Sequence, residues 1–364
     1  MFKTRHYVPI LKWKRGEQGA LAELDTELKN KLTPLVEIQP IPIDFRTEEY
    51  ARTIDQHLED VIERLKISWD ITRPIFLDLY WIEPDERMKN DEHPLSFLAD
   101  DSRRNDIKII PVTGLDRDSD YQSEVKNINK QDKNGICLRI DSDYIGNPNI
   151  EKQLTSIMQL LESNPEGTDL ILDLGYVTSD QEKILTNLLI IAINSFPHVN
   201  DWRTFTLTAT AFPQDLSRIP PKSITPIRRS GWFIWNNLIN SEIKRKPAFG
   251  DYAIAHPELV EIDPRIMTMS ANIRYTIESE WLILKGHSVK KEPGFKQFHD
   301  LSNLLINRSE YSGRDFSFGD LYIGKCAQRE VGSGNATTWR KVGTNHHLAF
   351  VIDQITNLAI SDET

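Results

Sequence analysis

Two cysteines in 364 residues, Cys137 and Cys326, form no CxxC pair, so an apolar core rather than a disulfide framework or a zinc knuckle must hold the fold. Apolar runs fall short of the roughly 20 residues that span a bilayer, and the opening residues lack a basic start followed by an apolar stretch; the chain is expected to be soluble and cytoplasmic. A basic excess is also missing. With 44 basic against 54 acidic residues the formal charge is −10, which excludes a protein that coats polyanions with a general basic surface and leaves only a local basic groove. There is no GxGxxG turn, no phosphate loop, no HxE, HExxH or DxD-type cluster, and no internal repeat. No metal is expected, no cofactor is indicated, and the oligomeric state is not written in the sequence.

What the chain does have is alternation. The β-rich runs YVPILKW (7–13), PLVEI (34–38), PIFLDLY (74–80), IKIIPV (107–112), GICLRI (135–140), DLILDL (169–174), FTLTATA (205–211) and GDYAIAH (250–256) are separated by amphipathic stretches. In 150–161 the residues Ile150, Leu154, Ile157, Met158 and Leu161 recur at helical spacing, and Ile54, Leu58, Val61, Ile62 and Leu65 do the same in 54–65. Segments 17–29, 94–104, 119–131, 179–196 and 231–243 fit helices too. This repetition marks βαβ units, and eight strands without a switch-point glycine turn predict a TIM-like (β/α)8 barrel over residues 1–260. Past 260 the rhythm breaks. Helices are expected near 294–308 and 344–358, and IRYTIESEWLILKG (273–286) alternates like a strand, with FSFGDLYIG (316–324) as its expected partner. No Ser/Gly-rich linker intervenes, so 261–364 is expected to be a C-terminal α+β extension, a small β-layer plus helices, packed on the barrel.

In a βα barrel the C-terminal strand ends carry the chemistry. Read in order they give Lys12 and Lys14, Glu37, Asp78, Thr113, Arg139 with Asp141, Asp173, Thr208 with Thr210, and His256. Strand parity places Glu37, Asp78 and Asp173 on the inward side with Leu35, Phe76 and Ile171, where each carboxylate needs a partner. Two readings stay open. Lys12, Arg139, Glu37 and Asp173 can neutralise one another as a structural layer. Alternatively the group is a site, with Glu37, Asp78, Asp141, Asp173 and His256 as catalytic candidates and Lys12, Lys14 and Arg139 holding an anion. Phosphodiester hydrolysis and glycosidic cleavage both fit that mixture.

Further candidates lie outside the strand ends. Trp232 and Trp235 stand three apart behind Arg228 and Arg229, a spacing that serves core packing or a stacking platform for a base. Arg274 and Tyr275 are expected to reach the mouth from the β-layer. GSGNATTWRKVGT (332–344) either presents amides to an anion or is a solvated turn, and of the adjacent His346 and His347 one must point away from any site the other joins.

Taken together, YVPILKWKRGEQGAL, PLVEIQP, LILDLG, FGDYAIAHP, SANIRYT, WLILKG and GTNHHL resemble the blocks of the phage-type "beta family" proteins, from Tyr7 to about Leu348. The resemblance carries over no catalytic residues. It implies that the C-terminal blocks belong to one unit with the barrel, and it implies a role in conflict between phage and host. The resulting expectation is a defence-associated protein whose mouth binds or hydrolyses a nucleotide or nucleic-acid phosphate or a glycosidic linkage. The alternative is a non-catalytic sensor or scaffold for a nucleotide signal or a phage or defence protein, with Trp281, Trp339 and the last helix presenting the interface.

Overall fold

Strands buried on both faces read as unbroken apolar runs, and runs of this kind form the centre of the molecule. The computed structural model describes residues 2–69, 73–259 and 269–358. Its strands are β1 (Tyr7–Leu11), β2 (Leu35–Glu37), β3 (Ile43–Asp44), β4 (Glu49–Tyr50), β5 (Ile75–Asp78), β6 (Ile109–Thr113), β7 (Ile136–Asp141), β8 (Thr168–Tyr176), β9 (Thr204–Thr210), β10 (Ser223–Arg228), β11 (Ala248–Asp251), β12 (Ser270–Thr276) and β13 (Glu280–Ser288). Eight of them close in the order β1-β11-β9-β8-β7-β6-β5-β2 with parallel pairing throughout, which is the TIM-like barrel the alternation predicts. Val8, Ile10, Leu35, Phe76, Ile110, Val112, Cys137 and Ile171 fill the inside. Gly250 is needed where β11 is squeezed between its neighbours, because a Cβ there would lie 2.2 Å from Thr208 Cγ2 and 2.8 Å from Val8 O.

A helix follows each barrel strand: Arg15–Ala22, Val61–Ser68, Pro94–Arg104, Ser119–Asp132, Ile150–Leu161, Glu182–Ser195, Ser230–Ile239 and Ala336–Asn357. The last is remote in sequence but not in space. It packs on Arg15–Ala22, Asn345 Nδ2 donates to Ala20 O at 3.0 Å, and Leu348, Val351, Ile352 and Ile355 share the core of the barrel strands. It therefore occupies the eighth place of the outer ring, and everything between β11 and Ala336 is one long βα connection.

Several expectations need correction. The run 250–256 is not a strand throughout: Asp251 Oδ1 accepts from the Ala253 amide at 2.8 Å and Ala253 turns to φ +52, so the alternating Tyr252 and Ile254 belong to a buried turn. FSFGDLYIG is not a strand either. Ser317 caps a helix, Phe318–Ala327, by accepting from the Asp320 amide at 3.1 Å. The last helix begins at Ala336 rather than 344, since Asn335 and Thr338 form a reciprocal capping box and draw the glycine-rich run into a helix start. The stripe in 54–65 is split between Ile54–Leu58 and Val61–Ser68, although Ile54, Leu58, Val61, Ile62 and Leu65 are all buried as expected.

IRYTIESEWLILKG folds on itself. It supplies most of β12 and β13, joined through an Ile277 amide bond to Glu280 O at 2.9 Å, and β10 from the long β9 connection completes an antiparallel sheet in the order β10-β13-β12. One face of this sheet, with Ile273, Tyr275, Leu282 and Leu284, packs on Phe298, Leu301, Ile323 and Trp339. The other, with Trp281 and Ile283, packs on Ala211, Phe212 and Ile254 of the barrel connections.

Candidate ligand site at the barrel mouth

The polar layer at the mouth follows from the strand period of two. Residues two positions beyond the inner apolar layer face the same way, so Lys12 follows Ile10, Glu37 follows Leu35, Asp78 follows Phe76, Arg139 follows Cys137 and Asp173 follows Ile171. Arg139 is the hub. Its Nη1 donates to Glu37 Oε1 at 2.8 Å and Asp78 Oδ2 at 3.0 Å, its Nε and Nη2 reach Asp173 Oδ2 at 2.9 and 2.7 Å, and Nη2 lies 2.7 Å from the Tyr252 hydroxyl. Arg117 Nη2 holds Asp78 Oδ1 at 2.6 Å, and Lys12 Nζ stands 3.6 Å from Glu37 Oε2 while donating to Pro257 O. The Trp81 indole donates to Glu37 Oε2 at 3.3 Å, and Asp173 Oδ1 accepts from the Gly175 amide at 2.9 Å. Three cations thus face three carboxylates, and every oxygen of Glu37, Asp78 and Asp173 is engaged.

The electrostatics are those of a charge-matched, largely buried cluster. Burial alone would lower the Arg139 pKa, but Tyr252, Asp173, Glu37 and Asp78 outweigh it and hold the guanidinium well above its usual range. Burial would raise the Asp173 carboxyl, yet Arg139, the Tyr252 hydroxyl at 2.5 Å and the Gly175 amide bring it below the usual carboxylate range. Lys12 is lowered by burial against the pull of Glu37. Above the cluster is a cavity of about 180 Å³ bounded by Tyr80, Trp81, Asp116, Asp141, Tyr252 and Glu258. Arg117 lies 4.9 Å from the Tyr80 ring centre and Lys12 5.0 Å from that of Trp81, so the rim combines cations with aromatic faces.

The family profile described as Beta protein matches residues 7–353. The chain belongs to the Beta protein family. It is 25% identical to Protein beta of Enterobacteria phage P4 over 369 residues, covering 95% of this chain and 93% of that protein. Among solved structures, a mutant tryptophan synthase alpha-subunit from Pyrococcus furiosus is 12% identical with a TM-score of 0.37, covering 69% of this chain and 88% of its own. The enoyl reductase domain of MlnA from Bacillus amyloliquefaciens is 10% identical with a TM-score of 0.35, covering 99% and 83%.

Of the residues singled out in this family member, Lys12, Glu37, Asp78, Arg139 and Asp173 converge, and Asp141 lines the cavity above them. His256 sits at the rim, its ring 4.8 Å from that of Tyr176, with burial lowering its pKa. Lys14 turns toward a second cavity outside the mouth. Trp232 packs in the core against Trp235 and Phe249, at 5.2 Å from each. Arg274 and Tyr275 do not reach the cluster: the first donates to Ile254 O at 2.9 Å, and the second, fully buried, donates to Asp320 Oδ1 at 2.7 Å. The adjacent histidines point apart, His346 Nδ1 to Asp320 Oδ2 at 2.8 Å in the added layer and His347 Nε2 to Asp251 Oδ2 at 3.0 Å in the barrel. Arg117, Tyr252, Tyr80 and Trp81 are additions that the strand-end reading missed. Tyr252 was legible only with the register of β11 in hand, and Arg117 sits in a polar loop with nothing to distinguish it. Among the described residues no group of three or more His, Cys, Asp or Glu is arranged to hold a metal, and no helix is long and apolar enough to cross a membrane.

Proposed function

We propose that the barrel mouth binds the base or sugar ring of a nucleotide or glycoside, and that the protein acts as a sensor or scaffold in the conflict between phage and host rather than as a hydrolase. The observation that carries this reading is the engagement of all the oxygens of Glu37, Asp78 and Asp173 by Arg139, Arg117, Lys12, Trp81, Tyr252 and the Gly175 amide. Each of these carboxylate oxygens is already held in an ion pair or hydrogen bond that fixes the mouth, which sets them up as structural partners rather than as a general base or metal ligand. The cavity walls contribute carboxylates from Asp116, Asp141 and Glu258 beside the aromatic rings of Tyr80, Trp81 and Tyr252, a lining that suits hydroxyl- or amine-bearing rings better than a phosphate. The phage origin of the 25% identical relative supports the phage–host setting.

The test is calorimetric titration of nucleosides and glycosides into the full chain, with product analysis of the same mixtures. Saturable binding without turnover is expected, and Trp81→Ala should weaken it about tenfold, the scale of one lost stacking contact. A measured product would instead favour a hydrolase. One observation supports that second reading: burial, followed by the neighbouring Asp143, Asp116 and Asp173 charges and opposed by the Asp143 amide bond, raises the Asp141 pKa, as a general acid requires. Loss of product in Asp141→Asn would then assign the role.

A further inference from the structure

Beside the mouth, beyond Lys12 and the Pro257 carbonyl, a cavity of about 400 Å³ opens between the connections that follow β1 and β2. Among the described residues, four cations, Lys14, Arg15, Arg52 and Arg64, line it with the carboxylate of Asp60, in a chain whose net charge is −10. Asp60 is already committed to Arg64, whose Nε donates to it at 2.7 Å. Charge of one sign collected in a concave site on a protein of the other sign favours an anionic ligand.

The buried atoms of the wall sharpen this. Trp13 is 6% exposed, yet its indole Nε1–H has no hydrogen-bond partner among the described residues, and the Gln39 Nε2 donor is equally unmatched. Buried donors that the protein leaves without an acceptor are satisfied by water or by a ligand oxygen. His57 completes the set. Its Nε2 donates to Gln39 O at 2.7 Å, which leaves a lone pair on the buried, unmatched Nδ1. Burial, with Arg52 adding to it against the Gln39 bond, keeps the pKa of this ring below the usual histidine value, consistent with a neutral acceptor. Trp13 itself adopts φ +25, an unusual angle for a large side chain, and Gln18 Nε2 secures it by donating to Trp13 O at 2.9 Å. Strain of this kind persists where the surroundings enforce it, and it gathers at ligand clamps.

We propose that this pocket is a binding site for a phosphorylated sugar. The phosphate lies among Arg15, Arg52 and the indole and amide donors of Trp13 and Gln39, and a sugar hydroxyl donates to His57 Nδ1. Guanidinium groups match phosphate oxygens, two neutral N–H donors extend that set, and the neutral His57 Nδ1 acceptor favours a hydroxyl-bearing ligand over bare phosphate. The volume is in the range of small-molecule sites. The site does not depend on the reading of the mouth.

The experiment is calorimetric titration of the full chain with ribose 5-phosphate, inorganic phosphate and ribose at low and high salt. Ribose 5-phosphate should bind at one site, phosphate more weakly and ribose not measurably, with affinity falling as salt rises. Arg15→Ala and Arg52→Ala change exposed side chains and Trp13→Phe keeps most of the ring volume; each should weaken ribose 5-phosphate about tenfold, the scale of one hydrogen bond to a charged group. Nucleoside binding at the mouth should be unaffected by Arg15→Ala and Arg52→Ala. The proposal is overturned if the wild-type chain binds no ribose 5-phosphate or if all three variants bind it as the wild type does. Equal affinity for phosphate and ribose 5-phosphate overturns the His57 hydroxyl contact. Nucleoside binding that fails while these results hold removes the mouth reading alone.

Discussion

Arg139 bridges three carboxylates, with Lys12 and Arg117 completing the charge balance, and its own burial is tolerable only because the carboxylates are there. Arg139→Ala would leave Asp173 buried without its cation and leave three carboxylates sharing Lys12 and Arg117 alone. A loss of about 3–5 kcal/mol in urea-unfolding free energy is expected, the usual result of removing one partner from a buried ionic cluster. Asp173 gives a pH signature. Its folded pKa lies below the ordinary 3.8 because Arg139, Tyr252 and Gly175 outweigh burial, so its contribution is fully present above the unfolded value and is lost as pH falls through the folded one. Urea midpoints measured from pH 6 down to 3 should fall more steeply in the wild type than in Asp173→Asn below about pH 4, the unfolded value for an aspartate. Equal slopes would mean that Asp173 is not held ionised by its neighbours.

At the scale of elements, the added sheet is fastened by Trp281, which packs 5.3 Å from Phe212 and donates through its indole to His347 Nδ1 at 3.4 Å. Trp281→Ala is expected to cost about 3–5 kcal/mol, read from the same unfolding curves. Asn335→Ala, which removes the cap of the closing helix, should cost only about 1 kcal/mol. The barrel strands were legible because burial on both faces turns them into compact apolar runs, and Ile150–Leu161 because its apolar stripe keeps helical spacing. The added sheet was harder to read. β10 is short and half-exposed, with a proline at Pro226, and pairs with β13 more than fifty residues downstream. FSFGDLYIG alternates as convincingly as a strand until Ser317 is recognised as a cap. In the mouth, parity identified the carboxylates and Arg139 but not their remaining partners. Tyr252 stands in a turn that mimics a strand, and the pocket beside Trp13 is assembled from separate segments, 13–18, 38–42 and 52–64 with Leu259, whose convergence only the closed barrel reveals.

For the whole molecule, the eighth outer helix comes from the end of the chain and lies against the first. Lys341 reaches Glu23 at 2.6 Å, and Arg340 donates to Ile254 O at 3.0 Å, so the closing helix touches both the first helix and the turn beyond β11. A chain ending at residue 335 would expose the apolar faces that Leu348, Val351, Ile352 and Ile355 cover. It should lack a cooperative unfolding transition by circular dichroism and elute as aggregate in gel filtration; a sharp transition would show that the ring tolerates seven helices. The same arrangement orders events during synthesis. β1 waits for β11 to be made before the sheet can close, and the first helix waits longer still for its neighbour, so for most of the time on the ribosome the molecule has an open seam. At synthesis rates of roughly 5–20 residues per second that interval lasts tens of seconds, during which the apolar faces later covered by the eighth helix stay exposed.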